Sequence, residues 1–176
     1  MDSEVSATKP HQYPATKDDL FQALEGLDIA FHTLEHPPVF TVEESSDVEA
    51  ALPGAHTKNL FLKDAKGRLF LVVAENRTEI DLKALPAVIG SKRLSFAKPD
   101  LLMEVLGVEP GSVSALCVIN DRDVRVRVVV DAALMVHESI NCHPLKNDAT
   151  TNISRDDLFR FIRKFGHEPT VVALTS

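Results

Sequence analysis

The stretch Asn59-Leu60-Phe61-Leu62-Lys63-Asp64-Ala65-Lys66-Gly67-Arg68-Leu69-Phe70-Leu71-Val72-Val73 decides the fold. Asn59–Leu62 and Leu69–Val73 are almost wholly apolar. Between them Asp64-Ala65-Lys66-Gly67 has the chemistry of a tight turn, so the segment reads as a β-hairpin. Strands that are apolar at nearly every position are buried on both faces, which places this hairpin at the centre of a sheet.

Working outward, Thr16 and Asp19 form a capping pair, and Leu20, Phe21, Leu24 and Leu27 follow at helical spacing. Ile29–Glu35 reads as a strand stopped by Pro37-Pro38. Thr41-Val42-Glu43-Glu44 is a second capping box and predicts a helix through Val48 and Leu52, ended by Pro53-Gly54. Beyond the hairpin, Asp81–Ile89 reads as a helix bent by Pro86, Arg93–Ala97 as a short strand, and Pro99–Leu106 as a helix closed by Gly107. Val113–Ile119 and Val124–Val130 read as strands, the second with Arg125 and Arg127 on a basic face. His137–Asn141 and Thr150–Ile153 read as strands around a polar loop. Ser154-Arg155-Asp156-Asp157 caps an amphipathic helix that Gly166 ends, and Val171–Leu174 reads as a last strand.

Helices and antiparallel hairpins are interspersed without a regular strand–helix–strand repeat. That predicts a single α+β domain with a mixed or antiparallel central sheet flanked by helices. Residues 1–15, with Pro10 and Pro14 and no apolar period, read as a flexible arm, and 16–176 as the domain. At 176 residues, 44% hydrophobic and 26% charged, the composition is that of a globular chain, not a disordered or fibrous one. The formal net charge of −7 argues against a general nucleic-acid coat but allows a local basic patch. Two cysteines cannot build a disulfide framework, the apolar runs are too short to span a membrane, and the first residues lack the core of a secretory signal. The expected location is cytoplasmic.

No phosphate-loop, dinucleotide, nucleophile-elbow or zinc-protease motif is present. His32 with His36, and Cys142-His143 with His137, are weak metal candidates lacking a complete ligand spacing; neither a metal nor a cofactor is expected. Cys117 reads as a small buried hydrophobe. Three polar features remain. Lys58 and Asn59 stand at the mouth of the hairpin, Lys92-Arg93 at a helix end, and Asn141–Asp148 forms a polar loop. Singly, each has an ordinary reading: a solvated lysine, cations favouring a helix dipole, and a turn histidine bonded to backbone.

Together these residues resemble a family. Lys58-Asn59-Leu60-Phe61 matches its K-N-L-F motif, and His143-Pro144-Leu145, Asn147, Thr150-Thr151 and Ile153, followed by Asp157-Leu158 and Gly166-His167 with Pro169, match its C-terminal signature. Pro110-Gly111-Ser112-Val113 and Val118-Ile119-Asn120-Asp121 match its centre. The likeness, over about residues 17 to 174, is to the YbaK/ProX aminoacyl-tRNA deacylases, related to the editing insertion of bacterial prolyl-tRNA synthetases. Within the family it is greatest to the free-standing alanyl-tRNA(Pro) deacylases.

The resemblance implies a YbaK/ProX-like fold and trans-editing, the hydrolysis of alanine misloaded on tRNA(Pro). Related alternatives are cysteine or serine as the amino acid, or a non-catalytic module of the same fold that binds tRNA ends or a protein. The family's catalytic positions fall on Lys58, Gly111 and His143, and its substrate contacts on Asn59, Arg93, Ser112 and Ala115. The Ile29–Phe31 strand, through Ile29 and Phe31, is a further expected wall. Ala115 departs from the family loop G-x-x-x-P, where proline is common. The implied partners are the 3′ acceptor end of mischarged tRNA, with prolyl-tRNA synthetase or an elongation factor as candidate protein partners, and no membrane. An aminoacyl ester is already activated, so hydrolysis needs a placed water and donors for the developing oxyanion, not a metal. Lys58 is expected to position the substrate electrostatically, and the substrate's own ribose hydroxyl is the candidate base.

Overall fold

The computed structural model describes residues 13–38 and 42–174. Helix α1 (Lys17–Gly26) opens on the expected box: the Thr16 side chain accepts from the Asp19 N–H (3.1 Å), and Asp19 accepts from the Thr16 N–H (2.9 Å). Strand β1 (Phe31–Glu35) follows, then α2 (Val42–Ala51). Thr41, the expected cap of α2, lies outside the described residues. The hairpin is β2 (Ala55–Asp64) and β3 (Leu69–Glu75). Its turn is tied by the buried Asp64 carboxylate, which accepts from the N–H groups of Lys66 (3.0 Å), Arg68 (2.9 Å) and Lys92 (3.0 Å) and from the Arg68 guanidinium. Burial pushes that carboxyl up, but these hydrogen bonds outweigh it and hold it well below the ordinary range.

The short α3 (Leu85–Ile89) carries Pro86 in its first turn, so the proline starts the helix instead of bending it. Strand β4 (Leu94–Phe96) and α4 (Pro99–Leu106) come next, the latter closed by left-handed Gly107. The segment Val113–Ile119 is not a strand. Ser114 caps a 3-10 helix over Ala115–Asn120, every residue of it buried. Strand β5 (Val126–Asp131) leads through a second 3-10 turn to β6 (Ser139–Cys142) and β7 (Ala149–Ser154). Helix α5 (Arg155–Lys164) is capped by the Ser154 hydroxyl, with acids in its first turn and cations in its last, as the helix dipole favours. Strand β8 (Thr170–Val172) is the last element among the described residues.

The strands form one mixed sheet in the order β1-β7-β6-β2-β3-β5-β8, with β4 also on β2. The architecture is the expected α+β one, and the hairpin is central. One face carries the main core, where Phe61, Leu71 and Val128 meet α1, α4, α5 and the first 3-10 helix. The other carries a smaller cluster in which Leu62, Phe70, Val72 and Val129 are covered by Leu85 and Ile89 of α3. Residues 1–12 lie outside the described residues. Tyr13 donates to the Met103 carbonyl (2.7 Å), and the buried Ala15 donates through its N–H to Asn120 Oδ1 (2.9 Å). Among the described residues no helix is long and apolar enough to cross a membrane.

Candidate functional site

The site arises where β2 changes neighbours along one edge. At its start β2 runs parallel to β6, pairing Ala55 with Ile140 and His56 with Asn141. At its end the same edge pairs with β4, from Leu62 to Asp64. Between these ladders the sheet forks. The Phe61 carbonyl accepts from the Ala97 N–H (3.0 Å) on this edge, so strand alternation aims the backbone N–H and C=O of Asn59 into the gap.

Lys58 on β2, and His143 just past the end of β6, are each two residues beyond the last paired couple, His56 and Asn141, of these parallel strands. Alternation puts both on the α2 and α3 face of the sheet. Asn59 points to the other face, and its Oδ1 is buried with no partner among the described residues.

A cleft of about 130 Å³ opens beside the fork, lined among others by His36, His56, Thr57, Asn141, His143 and Thr150. Hydrogen bonds fix its walls. The Thr57 hydroxyl donates to the Asn141 carbonyl (2.8 Å), and the Asn141 amide donates to the carbonyls of Pro53 (2.9 Å) and Ala55 (3.0 Å). Asn152 donates to Asn141 Oδ1 (3.0 Å). His143 lies within 3.0 Å of the Ala149 carbonyl through Nδ1. A carbonyl can only accept, so Nδ1 carries the hydrogen and neutral His143 presents Nε2 as an acceptor. Burial, the largest influence, pushes its imidazole below 6.5. The Ala149 carbonyl raises it, the neighbouring His36 lowers it and Asp148 raises it. His36 in turn donates from Nδ1 to the Pro37 carbonyl (2.8 Å), leaving Nε2 to accept from Thr150 (2.8 Å).

The loop carrying Gly111 is tied to this strand end. Ser114 donates to the His143 carbonyl (2.7 Å) and accepts from the Leu116 N–H (3.2 Å). Gly111 has φ +93°, a conformation glycine adopts freely, and a Cβ there would lie 3.6 Å from Asn147. Ser112 is buried. Ala115 is wholly buried at the start of the 3-10 helix that Ser114 caps. The loop is fixed to this strand end through Ser114.

The expected contacts divide. Lys58, Asn59, Gly111, Ser112, Ala115 and His143 gather at the fork or on the loop bound to it, although Lys58 itself does not line the cleft. Arg93 immediately precedes β4, whose Leu94 pairs with Asp64, so it lies roughly 20 Å along β2 from Lys58. Ile29 and Phe31 are not cleft walls. Ile29 is buried in the main core, and Phe31 packs against that core and stacks on Phe21 with ring centroids 5.2 Å apart. His36 was singled out only as a weak metal ligand, and its place in the cleft comes from the pairing of β1 with β7. Among the described residues no group of three or more His, Cys, Asp or Glu converges on a metal-sized space. Both cysteines are buried; desolvation pushes the Cys117 thiol up to about 11 and, together with Cys117, the Cys142 thiol up to about 12.

Residues 36–161 match the model of the aminoacyl-tRNA editing domain family. The chain is 40% identical over 152 residues to the prolyl-tRNA editing protein ProX of Acetoanaerobium sticklandii, covering 86% of this chain and 93% of that protein. It is 38% identical over 159 residues to prolyl-tRNA synthetase associated domain-containing protein 1 of Danio rerio, covering 89% and 86%. A solved structure described as a candidate trans-editing enzyme for prolyl tRNA synthetase superposes with a TM-score of 0.66 at 18% identity, covering 90% of this chain and 98% of that one, a likeness of fold. With the family match spanning both Lys58 and His143, the chain belongs to the aminoacyl-tRNA editing domains, the class of hydrolases that clear misacylated tRNA.

Proposed function

We propose that this editing domain hydrolyses the ester of alanyl-tRNA(Pro) and spares prolyl-tRNA(Pro). The observation that carries the reading is the fork, where Lys58 and His143 flank a break in the sheet beside the loop of Gly111. The 3′ end of the tRNA lies along the β2 edge, with the Lys58 ammonium drawing the terminal phosphate or the ester oxygen toward the gap. The N–H groups of Asn59 and of the Gly111 loop supply donors for the oxyanion. His143 Nε2 accepts from the α-ammonium group or from the attacking water, and the ribose hydroxyl of the substrate serves as the base, taking a proton from the water as it passes its own to the departing ester oxygen of the ribose.

Neutral His143 is the acting form, so the acid limb of the kcat/KM profile is expected below pH 6.5 and to be lost in His143→Asn. The sign follows from burial. Folding favours the neutral ring, so its contribution to stability is complete above the unfolded value of 6.5 and is lost as pH falls through the lower folded value. An acid limb at or above 6.5 in the wild type, or one unchanged in the variant, would remove His143 from the reaction.

Selectivity must come from exclusion. Proline offers more apolar contact than alanine, and a methylene in an apolar pocket is worth only about 1–3 kcal/mol, so a pocket that merely attracts would favour the wrong substrate. The cleft walls are held to backbone carbonyls through Asn141 and Asn152, the latter donating to the Pro53 carbonyl (2.9 Å), and resist widening. Single-turnover hydrolysis of alanyl-, seryl-, cysteinyl- and prolyl-tRNA(Pro) tests the reading. Alanine is expected fastest, serine intermediate and proline slower than alanine by about tenfold or more. Equal rates for alanine and proline would refute the sieve. A marked preference for cysteine or serine would reassign the substrate, and no hydrolysis of any would favour a binding module.

A further inference from the structure

The same face of the sheet that bears Lys58 has an uncovered end. Phe96 is 61% exposed, the most exposed aromatic side chain among the described residues. It sits on the three-residue β4 directly opposite Leu62. Opposed residues of an antiparallel pair share a face, so Phe96 lies on the side of Leu62, Leu60 and Lys58. Leu94, two residues earlier on that face, is buried under α3, whereas Phe96 lies past the reach of this five-residue helix.

Lys92, Arg93 and Lys98 lie within four residues of Phe96 in the chain and are exposed. No acidic residue interrupts the run from Lys92 to Lys98. Among the described residues no carboxylate pairs with these three side chains, whereas Arg68, Arg125 and Arg163 all have partners. In a chain of net charge −7 this is a local reversal of sign. An isolated exposed apolar side chain needs no explanation. An exposed aromatic ring with unpaired cations close by in the chain has the chemistry of a single-strand site, where bases stack on the ring and phosphates meet the charges. Leu62 is four residues from Lys58, about 13 Å along the strand, the length of roughly four stacked nucleotides. The unpaired 3′ end of a tRNA has that reach.

We propose that Phe96, with Lys92, Arg93 and Lys98, forms a stacking platform for the unpaired 3′ nucleotides of the tRNA, leading them along β2 to the fork. This rests on the reading of Lys58 as the end that meets the ester. The platform acts on binding, not on chemistry. Phe96 touches the nucleotides before the terminal one, so its loss raises KM for tRNA and leaves kcat at saturation unchanged.

The chain contains no tryptophan, so Phe96→Trp introduces a single indole as reporter. Titration with uncharged tRNA and with a short RNA ending in CCA is expected to quench its fluorescence saturably, at an affinity within about threefold of wild type. Phe96→Ala is expected to weaken binding of the same RNAs about tenfold, the worth of one base stack. Lys98→Ala is expected to lower the salt slope by about one. RNA binding, detected independently, without quenching would overturn the platform. So would unchanged affinity in Phe96→Ala, or quenching by a protein partner and not by RNA. Because uncharged RNA is the probe, the outcomes separate from catalysis. Quenching without hydrolysis of any aminoacyl-tRNA supports the platform and overturns the proposed reaction, while hydrolysis without quenching does the reverse.

Discussion

Lys58→Ala is expected to lower single-turnover hydrolysis of alanyl-tRNA(Pro) by about 10²–10³-fold, the usual cost of removing one charged or oxyanion-directed donor from a hydrolytic site. The side chain is half-buried on a central strand, yet no carboxylate pairs with it among the described residues. Its backbone is locked opposite Ala74 of β3, so the strand does not depend on the ammonium. Stability should therefore change by only about 0.5 kcal/mol, as for an ordinary surface substitution. Lys58→Arg separates the roles left to a cation. Charge is retained but the compact ammonium becomes a planar fork, so tRNA affinity should survive while turnover stays low. Circular dichroism and thermal melting, measured with the rates, keep a folding defect from imitating the result. A folded Lys58→Ala protein turning over within about twofold of wild type, measured against the loss expected above, would return Lys58 to the role of a solvated lysine.

What the sequence makes legible follows from how local its determinants are. Thr16 with Asp19, Pro99 with Gly107, and Ser154 with Asp157 are contacts within one helical turn, and each marks a helix end. The turn at Asp64–Gly67 is equally local, and the two apolar runs around it could pair only with each other or with the sheet. Val113–Ile119 reads as a strand yet holds most of the 3-10 helix Ala115–Asn120, because a short continuous apolar run has no period by which to tell a strand from a buried helix. The deciding residue was Ser114, whose hydroxyl caps the turn and reaches His143, 29 positions away. Lys58, Asn59, Gly111 and His143 could be picked out by motif, but their gathering depends on the place where β6 leaves β2 and β4 joins it. That fork is a property of three strands together. His36 illustrates the same limit, since its cleft position requires Leu34 to pair with Thr150. Ile29 and Phe31 show the opposite limit, since both pack with the main core and neither lines the cleft. Apolar residues near a presumed pocket suit a wall and a core equally well, and only the sheet face decides between them.

Asp121→Ala is expected to be the most destabilising of the substitutions considered, by about 3–5 kcal/mol, as when a buried carboxylate is removed and the groups bonded to it are left unpaired. The carboxylate is almost wholly buried and has every contact satisfied. Oδ1 accepts from the Arg125 N–H (2.9 Å), and Oδ2 accepts from the Val126 N–H (2.9 Å) and from His167 Nε2 (2.8 Å). These bonds join the start of β5 to the segment after α5, and they hold Val124 at φ 53°, an unfavourable conformation for a β-branched residue. Alanine would leave two N–H groups and a buried imidazole without partners. His167 has nothing to offer in exchange, because its Nδ1 already lacks a partner among the described residues. For a chain of this length the loss corresponds to roughly 10 °C in Tm, at about 2–4 °C per kcal/mol. Asp121→Asn keeps one acceptor but turns a donor toward the ring, and about 1.5–3 kcal/mol should be lost. The pH dependence supplies the second check. Burial pushes the Asp121 carboxyl up, but the His167 and backbone hydrogen bonds outweigh it, so its folded value lies below 3.8. Its ionised form therefore stabilises the protein fully above pH 3.8, and that contribution is lost as pH falls through the folded value. The part of the Asp121→Ala deficit that the ionised carboxylate carries should accordingly shrink in the acid range below pH 3.8. Denaturant melts from pH 7 into that range decide the matter: a deficit under about 1 kcal/mol at pH 7, set against the loss expected above, would show that the Asp121–His167 clamp is dispensable to the fold.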